Sequence, residues 1–439
     1  MQVETFDVVV IGGGPGGSSS AAMLAPEGLK VLVLEREKFP RFHIGESLLP
    51  GIWDLWEKIG AVPAIEAAKF PPKQGIMFGM FNQSEDVKLL TAEFPEVFRR
   101  TYAYHVERAR FDQILLDNAR QRGAEVREEW TVKEVLFEGD QAVGVMAGPN
   151  GAEPHRINCK MVVDSSGRDC LIARRMGWRK PDPALNKIAH FTHFNGGYRR
   201  DQRDVLTNVS DILPNSTATD IHTIEGGWIW YIPLSGDVVS VGAVLDAKWA
   251  GHIKGPQERF DYAISKCDKI SEWVKGAEQT MEMHTISNIS YLNESFVGNG
   301  FVLIGDAAMF VDPIFSAGVT LATRAGVYSA ECILDCFKHN DFSAERLRPY
   351  EKRIKHPMLS IFRMIYNWYS ILEKKEANNL ISRARQIPLL RERFIVLLSG
   401  GYERMDLERI LAAAGENPDD AKTFGPENLI KKTANSPAV

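Results

Sequence analysis

Four groups of residues have types and spacings suited to chemistry. Gly12-Gly-Gly-Pro-Gly-Gly17 follows the β-branched run Phe6–Ile11 and precedes the small, helix-compatible stretch Ser18–Leu24. A second apolar run, Val31–Leu34, ends at Glu35, 18 positions beyond the last glycine. Strand, G-x-G-x-x-G, helix, strand and acid together describe a dinucleotide site. Gly12 permits the tight turn, Gly14 lets the backbone approach a pyrophosphate, Gly17 lets the helix pack on the sheet, and Glu35 accepts from a ribose hydroxyl. Lys73 lies in Phe70-Pro-Pro-Lys-Gln-Gly-Ile-Met-Phe78, with no other charge between Lys69 and Glu85. An amine in such surroundings is desolvated and its pKa falls, which makes it a better nucleophile and proton donor. An extended segment through Gly226–Pro233 puts Trp228 and Trp230 on one face, a rigid indole wall, and Ile229 and Tyr231 on the other. Finally, Pro313 breaks the segment that starts at Phe310, and Ser316 is the expected N-cap of a helix from Val319 to Phe337. The Ala317 and Gly318 amides are then unpaired donors at a positive helix end.

The elements around these groups belong to an α/β protein. Arg108 to Ala119 has a helical pattern, and Gly123–Val126 leads into another strand. Met161–Asp164 is a strand ending in a polar turn, and Phe301–Ile304 runs into a Gly305-Asp306 turn and a helix. These strand ends converge on one crevice, where ligands sit in open α/β sheets. Asp306 there can accept from a polyol such as ribitol. The glycine fingerprint occurs once, which leaves a nicotinamide dehydrogenase or a flavoprotein. After Asn340 the chain turns charged and helical, and Met358, Ile361, Phe362, Ile365, Tyr369 and Leu372 recur at spacings of three or four. Such a stripe packs as core, or its aromatics close a substrate pocket. Arg383, Arg385, Arg391 and Arg393 form a basic face suited to an acidic carrier or simply to solvent.

Composition sets the outer bounds. The 439 residues are 44% hydrophobic and 25% charged, ordinary for a globular protein. A net charge of -5 argues against a nucleic-acid binder, and no apolar run reaches membrane-spanning length. Five cysteines without a C-x-x-C pair argue against a disulfide framework or a structural metal site and for a reducing cytoplasm.

In their order, these motifs resemble those of FAD proteins built like the aromatic hydroxylases. Within that group the chain is most similar to the flavin-dependent halogenases. Trp228-Ile-Trp230-Tyr-Ile232-Pro233 matches their W-x-W-x-I-P signature, Phe310 to Gly318 their F-x-x-P-x-x-S-x-G pattern, and Gly45-Glu46-Ser47-Leu-Leu-Pro50 their G-E-S-x-x-P segment. The resemblance implies a Rossmann-type FAD-binding domain with an inserted β-sheet substrate domain and a C-terminal helical region. The expected FAD domain is discontinuous, 1–75, 100–175 and 290–340. The substrate-side sheet takes 76–99 and 176–289, and the helical region 341–439.

The resemblance also assigns roles. Lys73 matches the family's catalytic lysine. Gly12, Gly14, Gly17, Glu35, Arg41, Ser47, Arg108, Asp306 and Val319 would contact FAD, with Arg41 at the pyrophosphate and Ser47 near the isoalloxazine. Ala317 and Gly318 would hold chloride or bromide. Trp228, Trp230, Pro313, Phe315 and Ser316 would separate substrate from flavin. His43 and Glu46 are either an acid–base pair or a hydrogen-bonded turn. With no second nucleotide site visible, reduced flavin would come from a separate reductase. Hypohalous acid made at the flavin would pass the tryptophans to Lys73 and halogenate an electron-rich ring. Tryptophan halogenases carry a glutamate where this chain has Phe315. That departure argues against free tryptophan and for a phenol or pyrrole, free or on a carrier protein, and leaves the base for the ring proton unassigned. A single-component aromatic hydroxylase, a prenyl-chain reductase and a non-catalytic flavin-binding protein share parts of the pattern.

Overall fold

The computed structural model describes residues 4–79, 86–90, 100–199, 217–287, 289–374 and 399–401. The basic positions from Arg383 to Arg393 lie outside them. In chain order the elements that build the site are β1 (Val8–Ile11), α1 (Pro15–Leu24), β2 (Val31–Leu34), β3 (Pro72–Gly79), α2 (Arg108–Gln121), β4 (Glu125–Arg127) and β5 (Met161–Asp164). They continue with β6 (Lys187–Asn195), β7 (Thr217–Ile224), β8 (Gly227–Pro233), β9 (Val238–Asp246), β10 (Phe301–Leu303), α3 (Gly318–His339) and α4 (Ala344–Lys374).

Strands β10, β5, β1, β2 and β4 pair in that order, all parallel, and a short antiparallel strand, Val297–Gly298, closes the β10 edge. Every residue of β1, β2 and β5 except the terminal Asp164 is apolar, and all are buried, as a sheet covered on both faces requires. The register sets Ile11, Asp164 and Leu303 side by side, so the turns after β1, β5 and β10 open on one edge. Helices α1 and α3 cross closely over this edge. A β-carbon on Gly326 would lie 2.3 Å from the Gly16 carbonyl oxygen, and one on Gly16 3.1 Å from that of Ala322. Glycines at the crossing thus bring the first turns of both helices to the same crevice.

Among the described residues the second sheet has nine strands, with the central order β6-β9-β8-β7-β3. Strand β8 divides two cores by alternation. Trp228, Trp230 and Ile232 join the main core, while Ile229 and Tyr231 join a second cluster with Phe260, Ala263 and Ile264. On α4 the expected stripe is core: Met358, Ile361, Phe362, Ile365 and Tyr369 are buried. The side chain of Leu372 lies outside the described residues.

Two local expectations are corrected. The Gly305-Asp306 turn does not run into a helix. It is one 3-10 turn, Gly305–Ala307, followed by a short strand, Met309–Phe310, and a second 3-10 turn, Pro313–Phe315. Ser316 is not the N-cap of α3. It ends that second turn in the left-handed region, φ 53°, which turns the chain before Ala317 takes the cap position without a side-chain bond. The side chain that caps here is Asp312, accepting from the Ile314 amide at 3.1 Å.

Candidate active site

The glycine loop is built as a cradle. Gly12 has φ +96°, and a β-carbon there would lie 2.5 Å from the Ser165 carbonyl oxygen. One on Gly17 would sit 2.0 Å from the Gly12 carbonyl oxygen, so neither position admits a side chain. Gly14 differs, because its β-carbon would meet only Arg41 Nη2, at 3.9 Å. Gly14 caps α1 and Pro15 occupies its first position, where a missing N–H costs nothing. Glu35 braces the loop from behind: its carboxylate accepts from the Gly13 amide at 2.7 Å and the Glu37 amide at 2.8 Å.

Arg41 and Arg108 share one acceptor. Asp112, fully buried on α2, takes Arg41 Nη1 at 2.8 Å and Arg108 Nε and Nη2 at 2.7 and 2.9 Å. Burial alone would raise this carboxyl, but the two guanidiniums outweigh it and hold it below its ordinary value. Arg108 also donates to the Ile44 carbonyl at 2.7 Å, which ties the Gly45-Glu46-Ser47 segment to α2. Asp112→Ala therefore removes the shared acceptor, leaving Arg41 with Glu37 and Arg108 with the Ile44 and Gly45 carbonyls, and is expected to destabilise the protein by about 3 kcal/mol in urea unfolding. An unchanged unfolding midpoint would contradict this.

Across the crevice stands Asp306, partly buried. Desolvation pushes its carboxyl up to about 6 against the opposing charges of Arg108 and Arg168. No hydrogen bond reaches that carboxylate among the described residues. Asp306, Asp312, Pro313, Ala317 and Gly318 line a narrow cleft at the start of α3. A β-carbon on Gly318 would meet nothing within 4 Å, and Val319 lies behind it against Gly45. The first intrahelical bond is donated by Leu321 to the Ala317 carbonyl, and among the described residues no hydrogen bond takes the helical amides before it, at a positive helix end.

Lys73 reaches the tryptophan face through an irregularity in pairing. Strand β7 pairs with β3 as Thr219 with Ile76 and Ala218 with Gly75, then Thr217 with Lys73. The extra residue is Gln74. Strict alternation would put Lys73 opposite to Ile76, and the bulge returns it to the same face. That face also carries Ile221 opposite Trp230 and Thr223 opposite Trp228. Lys73 is 2% exposed, and its Nζ donates to the Leu48 carbonyl at 3.0 Å. Burial pulls the amine from 10.5 down to about 7. Beside it, fully buried His105 holds Thr219 Oγ1 at 2.9 Å and Thr217 Oγ1 at 2.8 Å, and Ser47 Oγ meets Thr219 Oγ1 at 2.7 Å. Burial, with Lys73 next, drives the His105 imidazole well below its ordinary value and keeps it neutral.

The tryptophan rings lie 5.8 Å apart at 47°. Trp230 donates to Ser240 Oγ at 3.2 Å and packs on Phe191. Phe315 is buried against the same core. His43 and Glu46 do not pair. His43 bonds the Ile44 carbonyl, while Glu46 takes His193 Nε2 at 2.8 Å from β6. Sequence reasoning passed over Asp112, His105, His193, Asp312 and Lys187. Asp112 left a trace, four positions after Arg108 on one helix face, and Asp312 lies within the Phe310–Gly318 motif as the cap of the Pro313–Phe315 turn; His105, His193 and Lys187 arrive from segments distant in sequence.

The tryptophan halogenase family model matches residues 7–91 and 91–394. The chain belongs to the flavin-dependent halogenases. It is 32% identical, over 94% of its length and 95% of the relative's, to a 1H-pyrrole-2-carbonyl peptidyl-carrier-protein chlorinase of Pseudomonas fluorescens. It is 31% identical, over 77% and 80%, to the corresponding brominase of Pseudoalteromonas luteoviolacea. The solved myxobacterial chondrochloren halogenase superposes with TM-score 0.76 at 35% identity, covering 83% of each chain. This halogenase uses FAD and a halide, and the crevice fits the cofactor. The Gly14 backbone is open where a pyrophosphate approaches, and Arg41 stands beside it. The Asp306 carboxylate is free to accept from a polyol, and the Gly318 amide is open at the other end of the cleft.

Proposed function

We propose that this halogenase chlorinates or brominates a pyrrole ring tethered to a carrier protein, and that Lys73 delivers the halogen. The observation that carries the reading is a fully buried amine, held near neutrality, on the same sheet face as the tryptophan pair. The chlorinase and the brominase named above both act on a carrier-bound pyrrole. Phe315 in place of a glutamate suits a ring that its own nitrogen activates.

Reduced FAD, once bound, supplies with dioxygen the oxidation of halide to hypohalous acid. Gly12, Gly14 and Gly17 shape the pyrophosphate cradle, Glu35 braces it and accepts from the ribose, and Arg41 and Arg108 offer positive charge. Asp306 accepts from the ribityl chain, while Ser47 and Val319 bound the ring end. The amides at Ala317 and Gly318 hold the halide, and Pro313, Phe315, Ser316, Trp228 and Trp230 keep the organic ring apart from the flavin. At Lys73 the neutral amine attacks the halogen of hypohalous acid. The nitrogen–halogen bond forms, the halogen–oxygen bond breaks, and the departing hydroxide leaves as water with the amine's proton. We further propose cytoplasmic residence, from five unpaired cysteines, and a separate reductase as the source of reduced FAD.

The test is mass spectrometry of free and carrier-bound pyrroles and phenols with reductase, chloride and bromide. Halogenation confined to free phenols would refute the substrate assignment. A pH profile tests the amine's role. With its pKa at about 7, the neutral fraction rises about tenfold between about pH 6 and pH 8, and halogen transfer in a single turnover should follow it. A rate that instead falls above pH 7 would make the ammonium form the active one.

A further inference from the structure

Helix α4 reaches the tryptophan wall through one buried hydroxyl. Trp228 Nε1 lies 2.9 Å from Tyr369 Oη, and that oxygen lies 2.6 Å from Asp312 Oδ2. The directions follow from the groups: an indole N–H only donates and a carboxylate only accepts, so the hydroxyl accepts from the first and donates to the second. Asp312 uses its other oxygen on the Ile314 amide, within the turn that leads to the open amides of α3. Lys187 Nζ closes the far side, 4.3 Å from the Tyr369 ring centre and 3.0 Å from Asp246. One oxygen therefore joins β8, the segment before α3, and α4.

We propose that Tyr369 is a positioning residue: it orients the Trp228 indole and fixes it against the Asp312–Gly318 segment, so that α4 sets the passage between the flavin side and the Lys73 side. This rests on the tryptophan pair acting as the partition proposed above. An indole without its acceptor rotates, and an unpaired buried N–H is costly enough to make it seek another partner. The C-terminal helix thereby acts on the chemistry without touching the reacting atoms.

Tyr369→Phe removes the single oxygen. In the FAD-free protein, the Trp228 indole N–H resonance, assigned by its loss in Trp228→Phe, is expected to move upfield and the unfolding midpoint to fall, because the indole and Asp312 each lose a partner, while FAD affinity holds. In the loaded enzyme, halogenated product per reduced flavin consumed should fall on the order of tenfold. The KM for the ring should be unchanged, and the missing halogen should be recovered as free hypohalous acid by an added trap. If Tyr369→Phe does not fold, Trp228→Phe cuts the same chain at its other end and carries the coupling measurement. An unmoved resonance or unchanged coupling overturns the proposal. Failure of the unmodified enzyme to halogenate any ring would instead refute the functional reading, and the resonance would still report on Tyr369.

Discussion

Lys73→Met is expected to abolish halogenated product and at the same time to make the protein more stable at neutral pH. The two effects share one cause. Burial holds the amine at about 7 where an unfolded chain would hold it at 10.5. A group whose folded pKa is depressed costs stability at every pH below its folded value, and that cost fades as pH rises towards the unfolded one. At pH 7 the cost is on the order of 4 kcal/mol, against about 1 kcal/mol for the lost bond to the Leu48 carbonyl. Methionine has similar bulk and no charge, so a net gain of about 2–3 kcal/mol is expected in urea unfolding at pH 7. The gain should shrink by more than half by about pH 9.5. FAD affinity should be unchanged, because nothing in the glycine cradle is touched. Retained halogenation would refute the delivery role, and a loss of stability at pH 7 would refute the burial argument.

Gly17→Ala should lose FAD binding by a structural route, and Gly14→Ala by a direct one. A methyl at Gly17 would lie 2.0 Å from the Gly12 carbonyl oxygen and 2.4 Å from Ser165 Oγ, atoms fixed by the pairing of β1 with β5. Overpacking against backbone forces the loop and α1 apart, costing about 3 kcal/mol or more. At Gly14 the methyl meets only the end of a flexible arginine, so unfolding should be nearly unaffected while FAD affinity falls on the order of tenfold or more. Unfolding curves with flavin titration separate the two. Equal stability of both variants would mean that the loop is softer than its packing implies.

Much of this protein was legible from the order of its residues. The cradle was readable because its determinants are local: a β-branched run, three glycines whose positions follow from backbone geometry, and an acid after the next strand. The tryptophan face followed from a two-residue period that no tertiary contact can change. The start of α3 was misread because Ser316 is a common capping type, whereas the capping carboxylate, Asp312, sits on the turn before it and the chain reverses hand at Ser316 itself. Sequence left His43 and Glu46 open between an acid–base pair and a hydrogen-bonded turn, because the partner of Glu46, His193, comes from β6 at a separation of 147 positions.

Amino-acid order by itself determined the dinucleotide fold, the single cofactor cradle, the indole pair and the isolation of Lys73 from other charges, because strand alternation, turn geometry and helix ends depend on neighbours a few residues apart. Tertiary structure alone decided which face Lys73 occupies, how far its proton affinity falls, and which groups hold the tryptophans. Those depend on a bulge opposite Thr217, on complete removal from water, and on hydroxyls and carboxylates brought together from distant strands and the C-terminal helix. Side-chain chemistry of that kind is set by surroundings in space, which no local pattern encodes.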